Sequence, residues 1–243
     1  MKNNIRKTKS KIEKDVLNVY KKVNPSFYKI DIDNRFYKVF EEQRIKTLRN
    51  SGLYNYLLTA KNIINIGGGT GEKALLDAKI NKANTKIIDN NELALDRASK
   101  LFNKYKLKLK TECKSLFNLK ASDVKGFDIL ICEAVLHHTY DPLKALKHLC
   151  SIIPAGTTAL IAMSETNGWF QRSLQRDFIL KRANNNEDII KIAKQYFPDH
   201  IRRAKKYGLR STNQIIYDSF INPQDQPTDI EKILSTFRKY NFS

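Results

Sequence analysis

The chain has 243 residues, 41% of them hydrophobic, and its 44 lysines and arginines against 25 acidic residues give a net charge of +19 at pH 7. This length suits one sizeable core with a small additional subdomain, and no apolar run reaches the roughly 18 to 20 residues of a membrane-spanning helix. The lysine-rich start lacks the apolar centre of a signal peptide, and three widely spaced cysteines favour neither a disulfide framework nor a zinc site. We therefore expect a soluble, cytoplasmic protein without a bound metal.

Two amphipathic helices are predicted near the start of the chain, because apolar side chains recur there at helical spacing. The first is marked by Ile12, Val16, Val19, Tyr20 and Val23, and the second by Phe36, Phe40 and Leu48. Residues 1–60 are therefore predicted to form a helical cap in front of a more apolar segment.

A glycine-rich turn follows an apolar run of strand type at residues 63–71, which read Ile-Ile-Asn-Ile-Gly-Gly-Gly-Thr-Gly. Gly67, Gly69 and Gly71 let the backbone approach a ligand closely, since they lack a Cβ atom. A dinucleotide fingerprint would need a further glycine at position 72. That position is Glu72, and its carboxylate would repel a pyrophosphate at the start of the following helix. The turn therefore predicts a nucleotide-like ligand without phosphates.

A second short strand, residues 86–89, ends in a carboxylate. Asp89 follows Gly71 by 18 positions, close to the roughly 20-residue separation expected for an acid that binds a ribose. A carboxylate accepts two hydrogen bonds, and a ribose offers two adjacent hydroxyls. A helix N-cap is the structural alternative for Asp89, but the glycine turn at the right distance favours the ribose.

A third block, residues 127–142, begins as a buried strand and ends as a helix start. Glu133, His137 and His138 follow this strand, at the edge where open parallel sheets bind ligands. A histidine there could remove a proton from an acceptor. The structural alternative is that one of the two histidines is hydrogen-bonded within the protein and the other is exposed. Asp141 and Pro142 suit the N-cap and the first position of the next helix, and a turn at residues 154–156 precedes a fifth strand, residues 158–163.

These three motifs, in this order across residues 61–164, resemble the class I S-adenosylmethionine-dependent methyltransferases. The resemblance is to the type 11/12 superfamily, in particular the ubiquinone and menaquinone methyltransferases. It implies a Rossmann-like, doubly wound α/β fold with a mostly parallel sheet. Residues 1–60 would be a helical cap, residues 61–164 the S-adenosylmethionine-binding core, and residues 165–243 a helical insert and the last core helix.

The resemblance also implies which residues contact the methyl donor. Those residues are Asn65, Gly67, Gly68, Gly69, Gly71, Asp89, Asn90, Cys113, Ser115 and Glu133. Asn65 stands where the family usually carries an acid. The family's acid for the adenine amino group is also missing, and Cys113 or Ser115 occupies its place. Glu133, His137 and His138 are the candidates for catalysis.

The end of the chain departs from the family pattern. Residues 217–225 are predicted to be a turn-rich connection, and Thr228 or Asp229 the cap of a final helix with the apolar stripe Ile230, Ile233, Leu234 and Phe237. In the family such a helix precedes a closing antiparallel hairpin, whereas this sequence stops at Ser243. We therefore expect the hairpin to be absent and the sheet to be reduced.

By this resemblance the chain transfers a methyl group from S-adenosylmethionine. Enzymes that methylate exocyclic base or glutamine nitrogens carry an Asn/Asp-Pro-Pro-Tyr motif, and Glu-Ala-Val-Leu replaces it here at residues 133–136. That favours an oxygen or carbon of a small molecule as acceptor. The net positive charge favours RNA as the alternative acceptor, although the charge is spread along the chain. Asn65, the missing adenine acid and the missing hairpin favour a third possibility, a non-catalytic or truncated S-adenosylmethionine-binding protein.

Overall fold

A computed structural model describes residues 9–28, 35–208 and 210–242; within these ranges the side chains of Ser10, Arg35, Phe36 and Tyr207 lie outside this description. The described residues form one sheet of five strands, all parallel, in the order β3-β2-β1-β4-β5. The strands are β1 (Asn62–Ile66), β2 (Asn84–Asp89), β3 (Leu109–Cys113), β4 (Ile129–Glu133) and β5 (Thr158–Ala162). The predicted α/β fold is confirmed. The strand order reverses between β1 and β4, where open parallel sheets bind ligands.

Helices cover both faces of the sheet. Before the sheet come α1 (Lys9–Val23), α2 (Arg35–Asn50) and α3 (Leu53–Thr59). The strand connections contain α4 (Glu72–Asn81), α5 (Glu92–Lys104), α6 (Ala121–Val124) and α7 (Pro142–Ile152). After β5 follow α8 (Thr166–Leu180), α9 (Asn186–Tyr196), α10 (Pro198–Gly208), α11 (Thr212–Ile216) and α12 (Ile230–Lys239). None of these helices, across the described ranges, is long and apolar enough to span a membrane.

The two layers follow from the alternation of side chains along each strand, since successive residues point to opposite faces. In β1, Ile63 packs with Leu48 and Leu57 of α2 and α3. Its neighbour Ile64 packs on the other face, with Leu146 of α7. Both faces of the central strands are therefore buried, as in other parallel sheets whose connections are helical.

The segment predicted to be a turn-rich connection is partly helical. Residues Tyr217–Ile221 continue α11 as a π-helical turn, and irregular backbone follows only from Asn222. Ile216 and Phe220 are fully buried in the apolar core of the helical insert. Tertiary packing therefore overrides the local turn signals of this stretch.

The final helix has a narrower buried stripe than its sequence predicts. Ile233 is buried, but Ile230 and Leu234 are 42% and 38% exposed. Asp229 caps the helix, since its Oδ1 accepts hydrogen bonds from the N–H groups of Glu231 and Lys232. Between α12 and residue 242 no further strand is present.

Candidate functional site

The glycine turn joins β1 to α4 at the carboxyl edge of the sheet. Gly67, Gly69 and Gly71 have φ angles of 69°, 55° and 81°, a left-handed conformation that other residues rarely adopt. A Cβ on Gly71 would lie 2.8 Å from the Cβ of Ala98, and one on Gly67 would overlap Val135. Gly67, Gly68 and Gly69 line a cavity, whereas Gly71 is not part of its wall and packs against α5. The turn therefore depends on glycine both for its conformation and for its packing.

Asp89 lines the same cavity from the end of β2. Its Oδ2 accepts a hydrogen bond from Gly69 N and its Oδ1 one from Asn91 N, both at 2.8 Å. Burial raises the pKa of this carboxyl, although the N–H groups of Asn91 and Gly69 favour the charged form. The N-cap position of α5 belongs to Asn91, so Asp89 is not the helix cap. Each oxygen retains a lone pair for a ligand hydroxyl, and Asn90 lines the cavity beside it.

Asn65 lies in the cavity wall beneath the glycine turn and is 4% exposed. Its Nδ2 is buried and has no hydrogen-bond partner within the described part of the chain. An unpaired buried N–H group costs about 1–3 kcal/mol, so such groups in folded proteins generally have a partner. Asn65 therefore contributes to the wall with other atoms of the residue, and its Nδ2 lies beneath the surface.

The segment after β3 supplies the wall beyond Asp89. Lys114, Ser115 and Leu116 line the cavity, whereas Cys113 is exposed and is not part of the wall. Lys114 Nζ contacts Asp123 at 2.8 Å, which fixes its side chain beside the wall. Of the two positions predicted to replace the adenine acid, Ser115 is the one in the cavity wall.

A buried ion cluster surrounds Glu133 at the end of β4. Arg44 of α2 places Nη1 2.7 Å from Glu133 Oε2, and its Nε and Nη2 contact the two carboxylate oxygens of Asp77 on α4 at 2.7 and 2.6 Å. Burial lowers the pKa of the Arg44 guanidinium, but the two carboxylates outweigh burial and raise it. Lys73 Nζ lies 3.7 Å from Glu133 Oε1 at the exposed side of the cluster. The sequence did not predict this cluster, because Arg44 and Glu133 are 89 positions apart.

His137 is buried and is not part of the cavity wall. Its Nδ1 accepts a hydrogen bond from Ser164 N at 3.3 Å, and its ring lies 5.7 Å from that of Trp169. Burial lowers the pKa of His137 to about 3, and the neighbouring His138 adds to this effect. A ring that stays neutral and lies behind the wall is poorly placed to take a proton from an acceptor.

His138 lines the cavity together with Tyr20 of α1. Its Nδ1 lies 2.8 Å from the carbonyl oxygen of Gln224, closer than the Nδ2 of Asn222 at 3.1 Å. A carbonyl only accepts hydrogen bonds, so the shorter contact favours a proton on Nδ1 and a free lone pair on Nε2. Nε2 lies 3.9 Å from Asp218 Oδ1. The sequence offered two histidines, and the structure places His138, but not His137, in the cavity wall.

Asp218 lies on the π-helical turn and faces both His138 and Arg210. Its Oδ2 contacts Arg210 Nη1 at 3.1 Å. Burial alone would raise the pKa of Asp218, but the charges of Arg210, His138 and Arg172 lower it overall. Local sequence did not indicate this residue, because the contacts depend on the fold of the helical insert.

His137, His138 and Asp225 bring possible metal-ligand atoms within 4.8 Å of one another. Both oxygens of Asp225 already lie 3.0 Å from Trp169 Nε1. The guanidinium of Arg172 is 3.8 Å from the same carboxylate and opposes a second cation there. These contacts describe a hydrogen-bond cluster around the indole better than a metal centre.

The roof of the cavity comes from α1 and from residues 24–28, which we call the flap. Val16, Leu17 and Tyr20 contribute from α1. The flap is attached to α11, where Gln214 Nε2 donates to the carbonyl oxygens of Asn24 and Phe27 at 3.3 and 3.0 Å. The glycine turn, Asp89 and His138 thus line the wall of one cavity, and α1 and the flap form its roof.

A family model for a methyltransferase domain matches residues 58–224, well over half of the chain. A search of curated proteins finds no match. Among solved structures, PKMT2 from Rickettsia typhi is 18% identical with a TM-score of 0.54, over 74% of this chain and 38% of that one. An O-methyltransferase family protein from Burkholderia thailandensis is 15% identical with a TM-score of 0.50, over 84% and 53%.

The chain thus spans about half or less of the length of these two structures, and at this identity the likeness shows the fold alone. The family match is independent of that likeness and includes the glycine turn, Asp89 and the segment with both histidines. It confirms the prediction of a class I S-adenosylmethionine-dependent methyltransferase. The chain belongs to the methyltransferase domain family of enzymes.

Proposed function

We propose that this enzyme transfers a methyl group from S-adenosylmethionine to an oxygen or carbon of a small-molecule acceptor. The observation that carries the proposal is that the glycine turn, Asp89 and His138 line one cavity beneath one roof. When bound, S-adenosylmethionine supplies a methyl on a sulfonium, and transfer then depends mainly on alignment and the exclusion of water.

The residues of the wall fit such a donor. Asp89 offers two carboxylate oxygens, each already oriented by a backbone N–H group, to the two hydroxyls of a ribose. The glycine turn leaves room for the amino-acid part because side chains are absent from Gly67, Gly68 and Gly69.

His138 is the proposed base for an acceptor hydroxyl. The carbonyl of Gln224 holds a proton on Nδ1, so the lone pair of Nε2 can accept the proton that leaves the acceptor. Asp218, 3.9 Å from Nε2, stabilises the resulting imidazolium. His137 has no such role, because it lies behind the wall.

A small acceptor is supported by the roof. Val16 and Leu17 of α1 and Phe117 after β3 give the wall apolar surface, and Glu13 adds a negative charge. Such a lining favours a compact, partly apolar molecule over a polyanion. RNA, the alternative predicted from the net charge, is tested in the same experiment.

The donor half of the proposal is tested by calorimetry with S-adenosylhomocysteine. We expect Asp89→Ala to weaken binding about 10- to 100-fold, since a hydrogen bond to a charged group contributes about 1.5–3 kcal/mol. Asp96→Ala, an exposed change on the neighbouring α5, is the matched control and should leave affinity unchanged. No binding by the unmodified protein, or equal binding by both variants, would refute the donor assignment.

The acceptor half is tested with methyl-labelled donor and a cell extract separated into small molecules, protein and RNA. We expect label in the small-molecule fraction. His138→Gln should slow transfer about 100-fold or more, the scale of general-base catalysis, without loss of S-adenosylhomocysteine binding. His137→Gln should change the rate only a few-fold. Label in RNA alone would overturn the small-molecule assignment, and donor binding without label in any fraction would favour a non-catalytic protein.

A further inference from the structure

Asn65 is neutral at the position on β1 where the methyltransferase family usually carries an acid. In β1 the residue pairs with Ile131 of β4, and Glu133 stands two residues farther along β4 towards the carboxyl edge. Residues two apart on a strand point to the same face, so the carboxylate of Glu133 lies on the face that carries the amide of Asn65. Both residues line the donor cavity.

The cation and the carboxylates of the buried part of the cluster are unequal in number, because the second cation, Lys73, lies at the exposed rim. The side chains of Arg44, Asp77 and Glu133 are only 4%, 0% and 11% exposed, so one buried cation serves two buried carboxylates. Asp77 takes two of the three guanidinium nitrogens, Nε and Nη2, and only Nη1 contacts Glu133. A buried carboxylate facing a cavity with an incomplete countercharge attracts a cationic group of a ligand.

Lys73 supplies a complementary charge at the rim of the cavity. Its side chain is 37% exposed, and its Nζ is 3.7 Å from Glu133 Oε1, longer than a hydrogen bond. The ammonium of Lys73 forms only a long ion pair with Glu133, so it can also bind a carboxylate at the rim of the cavity. A negative and a positive group this close together match a zwitterion.

We propose that Glu133 binds the α-ammonium and Lys73 the α-carboxylate of the donor's amino-acid end, and that Arg44 is a positioning residue that fixes Glu133. This assignment rests on the proposed donor. It gives Glu133 a role in binding instead of proton transfer.

The test compares two probes by calorimetry, S-adenosylhomocysteine and 5′-methylthioadenosine. Both contain adenosine and a thioether, but only the first carries the zwitterionic end. We expect Glu133→Gln to weaken the binding of S-adenosylhomocysteine about 10- to 100-fold and to change the affinity for 5′-methylthioadenosine less than about twofold. Lys73→Met, at an exposed and therefore tolerant position, should weaken S-adenosylhomocysteine several-fold with the same selectivity. Glu92→Gln, an exposed change in the first turn of α5, is the matched control and should alter neither affinity.

Arg44→Lys tests the positioning role, because a lysine keeps the charge but cannot reach both carboxylates with a planar fork. Arg44→Lys should lower the affinity for S-adenosylhomocysteine relative to that for 5′-methylthioadenosine. A general loss of stability would weaken the binding of both probes alike. Equal effects of Glu133→Gln and Lys73→Met on both probes, or no effect on either, would overturn the inference. If the unmodified protein binds neither probe, the proposed donor itself is wrong. Circular dichroism melts of each variant identify any that fails to fold, and Lys73→Met then decides.

Discussion

Arg44→Met should destabilise the protein far more than the loss of an ordinary ion pair. Arg44 is 5% exposed and Asp77 0%, and two contacts of 2.7 and 2.6 Å join them. Removing the guanidinium leaves the buried Asp77 carboxylate without its partner, which typically costs about 3–5 kcal/mol. Coulomb attraction at an effective dielectric constant of 20 gives about 4 kcal/mol for unit charges 4 Å apart, in agreement with that range.

Urea unfolding followed by circular dichroism, with linear extrapolation to water, measures the change in the free energy of unfolding. The matched control is Lys181→Met, because Lys181 pairs with Asp177 on α8 with both side chains more than half exposed. That change should cost about 0.5 kcal/mol or less. The double variant Arg44→Met with Asp77→Leu should recover the part of the loss that comes from Asp77, since apolar side chains replace a buried ion pair at little net cost, whereas Glu133 still lacks its buried partner.

A cost below about 1 kcal/mol for Arg44→Met would refute this reasoning, because it would mean that water reaches Asp77 or that the pair is not formed. A double variant no more stable than Arg44→Met alone would contradict the electrostatic cause. The loss would then reflect the missing packing of the long side chain.

Three further predictions concern other parts of the site. Burial lowers the pKa of His137 to about 3, so between pH 6.5 and 5 only the unfolded chain takes up a proton on this ring. The free energy of unfolding should therefore fall by about 2 kcal/mol over this range. In His137→Gln that part of the pH dependence should disappear from urea titrations. Ala134, directly after β4, has a φ of 59°, so Ala134→Gly should raise the free energy of unfolding by about 1 kcal/mol. An unchanged melting temperature would argue against backbone strain at this position. Gln214→Ala removes both hydrogen bonds to the flap. In stopped-flow experiments it should speed the dissociation of S-adenosylhomocysteine about fivefold. An unaltered dissociation rate would show that the flap does not limit release.

The glycine turn and Asp89 could be located from the sequence because their signals are local. An apolar strand, a glycine turn and an acid at a fixed distance lie within 30 residues of one another, and backbone conformation and strand register follow from such short patterns. The same holds for the N-cap Asp141, whose Oδ1 accepts from Lys144 N at 2.9 Å as its position before Pro142 indicates.

The choice between His137 and His138 could not be made from sequence. The two rings are neighbours in the chain, and only the packing of Trp169 against one and the approach of Gln224 to the other distinguishes them. These contacts come from residues more than 30 and more than 80 positions away. The role of Arg44 was hidden for the same reason, since an arginine within an amphipathic helix pattern predicts a solvated side chain.

The position of Arg44 on α2 has a consequence for the energetics of folding. The cavity wall around Glu133 is complete only while the helices before β1 are docked on the sheet, so a ligand that contacts this wall binds the docked state alone. Mass action then stabilises docking by about 2.7 kcal/mol at a ligand concentration 100 times the dissociation constant. Limited proteolysis of the segment before β1 should slow in proportion to donor occupancy, so that the intactness of these helices reports how much of the enzyme is loaded.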